Sequence, residues 1–223
     1  MCKRVFLAGL AGLLLVLTVE ARVGNSSESG FCTETKECLL YDLVCENEGY
    51  EVRHYEPTKW VTTEQDSYFM EMALGTLFRR LFKYINGSNE AGVKIDMTAP
   101  VIITMQEKKS MWQVSTYTMS FLLPSAHQSA PPKPTDDKVF FTDMPDMNVY
   151  VRSYGGWMMS LSSKIQSNLL SKELDNLGAT YNKDFHYAVG YDSPMKILNR
   201  HNEVWYVVEG EPMCPAPEDP TSF

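Results

Sequence analysis

The sequence lacks the short motifs that mark well-characterised catalytic sites. It contains no His-Glu-x-x-His, no Cys-x-x-Cys, no Gly-x-Ser-x-Gly and no glycine loop of the phosphate-binding type. Each of these motifs holds groups of defined chemical role at a fixed spacing. Histidine is scarce, with four in 223 residues, and none has the spacing of a metal site. We therefore predict a binding protein and not an enzyme.

Clustered positive charge is also absent. The chain has 20 Lys and Arg against 28 Asp and Glu, a formal net charge of −8 at pH 7. Nucleic acids and anionic lipid surfaces are bound by clustered basic side chains. The composition therefore argues against both kinds of partner.

Long apolar runs are absent after residue 19. The one such run, residues 5–19, follows Lys3 and Arg4 and ends just before Ala21, the pattern of a cleaved signal peptide over residues 1–21. A membrane anchor is the alternative interpretation, but the run is shorter than the ~20 residues that span a bilayer. Cleavage would leave 18 basic and 27 acidic side chains and no membrane anchor. We therefore expect a secreted, extracellular protein.

Cysteine is sparse but even in number once the signal peptide is removed. An even set in an oxidising compartment predicts two disulfides, with three connectivities that the sequence leaves open. Three of the four lie in an N-terminal leader, residues 22–47, and one in a C-terminal tail, residues 210–223, so at least one bridge is expected to join the two ends. The four are Cys32, Cys38, Cys45 and Cys214.

Two Asn-x-Ser sequons are present, at Asn25 and at Asn86. A secreted chain exposes such sites to the glycosylation machinery. We therefore predict a glycoprotein.

The pattern of apolar residues predicts an α+β domain over residues 48–209. Helical periodicity covers residues 67–85, ended by Asn86-Gly87, and residues 161–177, with Ser160 as N-cap and Gly178 past the end. The order strand, helix, strand, strand occurs on each side of a proline-rich loop. It favours two βαβ-type halves with one helix each on a largely antiparallel sheet. The predicted strands are residues 50–55, 60–63, 97–105, 112–123, 139–142, 148–153, 185–191 and 203–208.

The first helix has two distinctive faces. One is an apolar stripe of Met70, Leu74, Leu77, Phe78, Leu81 and Ile85. The other carries Tyr68, Met72, Gly75, Arg79, Phe82 and Lys83. Glycine costs ~1 kcal/mol in a helix interior, and guanidinium and ammonium groups pair with carboxylates. The second face therefore suits a flat apolar ring with acidic substituents, although Gly75 as a packing contact beside solvated cations is the alternative.

His54 is a second candidate. In an alternating strand it shares a face with Tyr50 and Val52, whereas Glu51 and Arg53 point the other way. Neutral imidazole is a common metal ligand and an axial ligand of heme iron. A structural role for the histidine is the alternative.

Several segments, taken together, resemble the SOUL heme-binding protein family. They occur in the family's order and cover roughly residues 48–209. The segments are Tyr50-Glu51-Val52-Arg53-His54-Tyr55, Lys83-Tyr84-Ile85-Asn86-Gly87-Ser88-Asn89, Met97-Thr98-Ala99-Pro100-Val101, Val149-Tyr150-Val151-Arg152-Ser153-Tyr154-Gly155-Gly156, and Gly190-Tyr191-Asp192-Ser193-Pro194-Met195-Lys196 through Asn202-Glu203-Val204-Trp205.

The resemblance implies a distorted, barrel-like antiparallel sheet with two helices, and reversible binding of heme or another porphyrin without turnover. In one branch of the family the strand motif supplies an axial ligand, which His54 matches. In another branch heme lies in a groove between the first helix and a loop between late strands, matched here by residues 191–196.

In that second branch, basic side chains of the helix hold the heme propionates. Lys83 matches one of them, whereas the other position is Gly75 here, which leaves Arg79 or Arg80 for the second contact. The heme-binding residues predicted on these grounds are His54, Met72, Gly75, Phe78, Arg79, Phe82, Lys83 and Met195.

The family that this chain resembles includes cytosolic members without a leader, so the signal peptide and the cysteine set are departures from the family pattern. We therefore expect a secreted tetrapyrrole carrier, buffer or scavenger. The alternative is a secreted protein–protein interaction module of the same fold that uses the second helix and binds no pigment. Against it, the apolar residues of that helix are most simply interpreted as core, namely Ile165, Leu169, Leu170, Leu174 and Leu177.

Overall fold

A computed structural model describes residues 22–107 and 113–214. The predicted signal peptide lies outside these residues, as does the end of the predicted tail, residues 215–223. Residue 112, where one strand was expected to begin, also lies outside them.

Strands and helices follow one another in an α+β order. In chain order the strands are β1 (Val23–Asn25), β2 (Glu37–Leu39), β3 (Asp42–Glu46), β4 (Glu51–Tyr55), β5 (Thr58–Ser67), β6 (Val101–Gln106), β7 (Ser115–Leu122), β8 (Val139–Met144), β9 (Met147–Tyr154), β10 (Phe185–Gly190) and β11 (Asn202–Val207). The helices are α1 (Met70–Ile85) and α2 (Ser160–Leu177).

Nine of these strands form one sheet in the order β3-β4-β9-β11-β10-β6-β7-β5-β8. Every neighbouring pair is antiparallel, and the sheet stays open, like a barrel that does not close. β1 and β2 pair separately. The predicted α+β class, with two helices on a large antiparallel sheet, is confirmed.

The strand order has an internal symmetry that matches the two predicted halves. The first half is β4, β5, α1, β6 and β7, and the second is β8, β9, α2, β10 and β11. The halves meet where β6 pairs with β10. The first strand of each half pairs with the second strand of the other, β4 with β9 and β8 with β5. Each half therefore completes the sheet of its partner.

Both helices begin at positions that differ from the predicted ones. β5 continues to Ser67, which pairs with Ser115, so α1 starts at Met70 and not at residue 67. Ser160 is the first residue of α2 and not its N-cap, which is Met159. The Ser160 hydroxyl and amide instead donate to the Glu71 carboxylate, both at 2.6 Å. These bonds tie the start of one helix to the start of the other.

The ends of the helices agree with the sequence signals. Asn86 caps α1, followed by Gly87 at φ 109°, and Gly178 caps α2 at φ 71°. Glycine adopts these left-handed conformations without the steric penalty of other residues.

Strand β6 begins later than predicted, at Val101 and not at residue 97. Pro100 has no backbone N–H to donate to a ladder, so the preceding residues stay outside it. Thr98 instead donates its hydroxyl to the Leu122 carbonyl at 2.6 Å. Residues 97–100 thereby form a loop against the end of the sheet.

The leader is ordered and packs on the body of the protein. It supplies β1, β2 and β3, which were not predicted, and Cys38 and Leu39 are buried in the core. Disulfides join Cys32 to Cys38 and Cys45 to Cys214. The second bridge connects the leader to the tail, as expected. Across the described residues, neither helix has a stretch long and apolar enough to cross a bilayer.

Candidate functional site

The exposed face of α1 combines apolar and basic side chains. Met72 and Phe82 are 67% and 47% exposed, and Arg79 and Lys83 are exposed beside them. The opposite face buries Leu77, Leu81 and others completely, so the helix orientation is fixed by the core. The face that sequence periodicity assigned to a ligand is therefore the face left open.

Gly75 lies on this open face. A Cβ built at Gly75 would meet no atom within 4 Å. The alternative interpretation, in which Gly75 allows close packing of another part of the protein, is therefore wrong for the described residues. The glycine leaves free space above one turn of the helix.

Two phenylalanines of α1 form the apolar floor of a cleft. Phe78 and Phe82 stack with ring centroids 5.4 Å apart and planes at 19°. Phe78 also contacts Phe121 of β7 edge-on at 5.4 Å, which anchors the pair to the core. Offset aromatic pairs of this kind provide a rigid apolar surface.

The cleft has a volume of about 210 Å³ and is bounded by three other segments. These are residues 97–101 before and at the start of β6, the loop from Gly190 to Pro194 after β10, and two residues of the leader, Glu34 and Thr35. The segments meet because β6 pairs with β10 at the seam between the halves, with Val101 opposite Gly190. The structure thus brings together the helix and the late-strand loop that the sequence singled out.

The late-strand loop is held in shape by Arg200. Its guanidinium donates to the carbonyls of Ser193 and Lys196, both at 2.7 Å, and to that of Asp192 at 3.2 Å. The same guanidinium lies 4.5 Å from the ring centroid of Trp157. Met195, at the tip of the loop, is 86% exposed and does not line the cleft.

The two candidate partners for acidic substituents differ in availability. Arg80 donates to the Glu64 carbonyl at 2.9 Å and to the Gln65 side chain at 3.1 Å. Arg79 is exposed and directly follows Phe78. Of the predicted helix residues, Phe78 and Phe82 line the cleft, whereas Met72, Gly75, Arg79 and Lys83 do not. Contact of Arg79 or Lys83 with a ligand therefore stays a prediction.

His54 lies apart from the cleft. It is on β4, opposite Asp42 of β3 and Asn148 of β9, and its Nε2 is 3.1 Å from a carboxylate oxygen of Asp146. The imidazole does not line the cleft. Its role as an axial ligand stays a prediction, and a ligand bound there would occupy a second, separate place.

Beside the cleft lies a buried charge network that sequence reasoning missed. Arg53 Nη1 is 3.0 Å from Glu203 Oε1, and both side chains are almost fully buried. Glu203 also accepts from the Tyr191 hydroxyl at 3.0 Å and from the Trp205 indole at 2.7 Å. Alternation did place Arg53 opposite His54, but nothing in the pattern indicated a partner 150 residues away.

This network sets the charges at the back of the cleft. Burial raises the pKa of Tyr191 well above its usual value, so its hydroxyl stays protonated. Burial would also raise the pKa of Glu203, but the charges and hydrogen bonds of Arg53 and His201 outweigh it and hold that pKa below its usual value. Tyr191 is the member of the network that lines the cleft.

A second polar cluster lies under α2. His186 Nδ1 is 2.8 Å from Glu107 Oε1, and Lys164 Nζ is 2.5 Å from the other carboxylate oxygen. Burial opposes ionisation of Glu107, but hydrogen bonds from His186 and Lys164 prevail and lower its pKa to about 2. Within residues 22–107 and 113–214, no three His, Cys, Asp or Glu side chains are arranged to hold a metal ion.

The predicted glycosylation sites lie on the surface of the described chain. Asn86 caps α1 and donates its amide to the Phe82 carbonyl at 2.8 Å, one turn from the cleft floor. Asn25 accepts from the Ser27 amide at 2.9 Å. Glycan attachment at both stays a prediction.

Comparison with known proteins identifies the family. A family model described as "SOUL heme-binding protein" matches residues 36–207. The chain belongs to the SOUL heme-binding protein family. Its match to the SOUL family begins inside the leader and includes both helices and the whole cleft except Glu34 and Thr35.

Individual proteins with related names are also similar to this chain in sequence. This SOUL-family chain is 40% identical to human "Heme-binding protein 2" over 164 residues, which is 74% of this chain and 80% of the relative. It is 32% identical to mouse "Heme-binding protein 1" over 170 residues, 73% of this chain and 85% of the relative. The relatives are thus named for binding and not for catalysis.

The fold extends to distant proteins. The C-terminal domain of EcmrR superposes with a TM-score of 0.52 at 10% sequence identity, covering 77% of this chain and 99% of that domain. At this sequence identity the similarity shows that the two proteins share a fold, and nothing about function follows from it.

Proposed function

We propose that this chain binds heme or a related tetrapyrrole in the cleft beside α1, reversibly and without chemical turnover. The observation that carries the proposal is the stacked Phe78–Phe82 floor facing the loop from Gly190 to Pro194, in a chain of the SOUL heme-binding protein family. A flat apolar macrocycle gains most from stacking on such a surface. Arg79 and Lys83, on the same helix, supply cations for its acidic substituents.

We further propose that the protein acts outside the cell as a carrier, buffer or scavenger. Two disulfides within the described residues favour an oxidising compartment. The predicted signal peptide supports the same location. A cleft at the surface, bounded partly by loops, suits release as well as capture.

Titration of the secreted, disulfide-intact protein with hemin, followed by its absorption spectrum, tests the proposal. We expect a saturable shift of the Soret band. Phe82→Ala should weaken binding about 10- to 100-fold, because an aromatic surface worth ~1.5–3 kcal/mol is lost. Leu169→Ala, a similarly exposed apolar residue of α2, is the matched control and should have no effect.

His54→Ala distinguishes the two possible ligand positions. Binding that survives Phe82→Ala but disappears in His54→Ala would contradict the cleft and move the ligand to β4. Absence of a saturable shift in the unaltered protein would contradict tetrapyrrole binding altogether.

The interaction module remains a second candidate because of the surface of α2. Leu170 and Leu174 are buried as expected, but Ile165, Leu169 and Leu177 are 44–47% exposed, so their assignment to the core is wrong. Leu161, Ile165 and Leu169 recur every four residues and form a stripe on one side of the helix. A chain that gives no hemin shift would favour this use of the fold.

A further inference from the structure

The leader contributes a wall to the cleft that lies outside the family match. Phe31 stacks on the imidazole of His201, with centroids 4.2 Å apart and planes at 9°, and meets Tyr191 edge-on at 4.7 Å. The next residues, up to Thr35, then reach the mouth of the cleft. This segment precedes residue 36, where the match to the SOUL family begins.

Two contacts join the leader to the late-strand loop across the mouth of the cleft. Glu34 accepts a hydrogen bond from the Ser193 amide at 2.5 Å, and Thr33 accepts one from Lys196 Nζ at 3.3 Å. Together these two contacts are called the latch. Thr33 and Glu34 are both exposed, and the Cys32–Cys38 disulfide closes the short loop that carries them.

The cleft is too small to enclose the proposed ligand. Pockets that bury a drug-sized molecule measure roughly 300–1,000 Å³, whereas this cleft measures about 210 Å³. A tetrapyrrole can therefore rest on the cleft as it stands, but the cleft encloses it only if one wall moves.

The walls differ in how firmly they are held. α1 is fixed by fully buried residues such as Leu77 and Leu81, and residues 97–101 adjoin the β6–β10 ladder. The late-strand loop is braced internally by Arg200. The latch depends on exposed hydrogen bonds, each of which contributes only about 0.5–1.5 kcal/mol net because water replaces it when it breaks. Within the leader, Phe31 is stacked on His201 and Cys32 is buried, whereas Thr33 and Glu34 are exposed. The turn that carries Thr33 and Glu34 is therefore the part that yields.

We propose that the latch is a gate that keeps the cleft closed in the free protein and opens when the ligand enters. This inference rests on the proposed tetrapyrrole binding and adds its regulation. The disulfide-closed loop limits how far the leader swings away, so that the latch re-forms when the ligand leaves. Because residues of the leader form the gate, we expect the leader to slow both the association and the dissociation of the ligand.

Stopped-flow measurement of hemin association tests the gate. Glu34→Ala removes one latch contact and should raise the association rate about threefold to tenfold, the factor expected for one hydrogen bond. Thr33→Ala should act in the same direction with a smaller effect. Glu28→Ala, which removes another exposed leader carboxylate that does not line the cleft, should leave the rate unchanged. Equal rates in all four proteins would overturn the gate while leaving hemin binding intact, and slower binding by Glu34→Ala would show that the leader holds the ligand instead.

Amide exchange at Ser193 gives a readout that does not depend on heme absorption. Glu34→Ala should accelerate exchange of this amide in the free protein. Saturation of the unaltered protein with hemin should accelerate it as well, because the latch opens. Unchanged exchange on saturation would overturn the gate alone, whereas failure of every protein to bind hemin would remove the proposed function and the gate with it.

Discussion

α1 and α2 occupy corresponding places in the two halves of the sheet, but their buried faces differ in chemistry. α1 buries Ala73 and Leu77 at a spacing of four residues in an apolar cluster. α2 buries Ser163 and Ser167 at the same spacing, and Ser163 lies near His186, 3.4 Å from its Nε2. The first helix thus rests on an apolar core and the second partly on a polar cluster.

The exposed faces differ as well. Phe78 and Phe82 of α1 meet the late-strand loop of the other half and form the floor of the cleft, whereas α2 exposes Leu161, Ile165 and Leu169. The two halves therefore share the order of their strands and helix, but the side chains on corresponding faces of the two helices differ. The cleft needs a contribution from each half, so it forms at the seam and not within either unit.

The largest effect is expected from breaking the charge pair that joins the halves. Arg53 on β4 belongs to the first half and Glu203 on β11 to the second. Glu203→Ala should lower the free energy of unfolding by ~3–5 kcal/mol, because it removes the buried carboxylate that pairs with Arg53 and leaves the guanidinium with Glu51, which is partly exposed. Urea denaturation with the disulfides intact measures this loss.

Two further variants serve as controls for that measurement. Asp42→Ala breaks the exposed pair with Arg22 and should cost less than ~1 kcal/mol. Arg53→Met combined with Glu203→Met should recover part of the loss, because no unpaired buried charge remains. A cost below 1 kcal/mol for Glu203→Ala would mean that the halves are not held together by this pair.

An intermediate effect is expected from Glu107, whose ionisation makes the free energy of unfolding depend on pH. The pKa of Glu107 is about 2 in the folded protein and near ~4.3 when unfolded. The ionised Glu107 carboxylate therefore stabilises the folded protein fully above about pH 5, and this stabilisation is lost as the pH falls toward 2. It amounts to roughly 2–3 kcal/mol.

Glu107→Gln should remove this part of the pH dependence. The free energy of unfolding, compared at pH 7 and pH 3, should fall less in the variant than in the unaltered protein. Glu64→Gln, an exposed carboxylate of the first half, is the control and should retain the full dependence. An unchanged dependence in Glu107→Gln would contradict the assignment of acid sensitivity to the polar cluster under α2.

The smallest effect is expected from the cations beside the cleft. Replacing Arg79 and Lys83 together by alanine should weaken hemin binding about threefold to tenfold at low salt, because exposed ion pairs are worth little. The difference should shrink at high ionic strength, which screens such pairs. Lys172→Ala on α2 tests the comparison between the helices and should have no effect. A salt-independent loss would indicate a role in packing instead of charge.

Local signals in the sequence predicted most of the secondary structure. The stripe through Leu77 and Leu81 identified the buried face of α1, and Gly178 marked the end of α2. The start of α1 was misplaced because pairing of Ser67 with Ser115 extends β5, and this pairing depends on a strand far along the chain. The core assignment of Ile165 and Leu169 failed because periodicity reveals an apolar stripe but not what covers it.

The sequence alone determined the α+β class, the two halves, the distinctive face of α1 with Gly75, Arg79 and Phe82, and the likeness to the SOUL family. These follow from local periodicity and from motifs whose residues are close in the chain. Three features depend on the tertiary structure: β4 pairs with β9 and β8 with β5, Arg53 meets Glu203, and Glu34 of the leader contacts Ser193. Each of these contacts joins residues far apart in sequence, so no local pattern of side chains encodes it, and only the packing of the whole sheet brings the partners together.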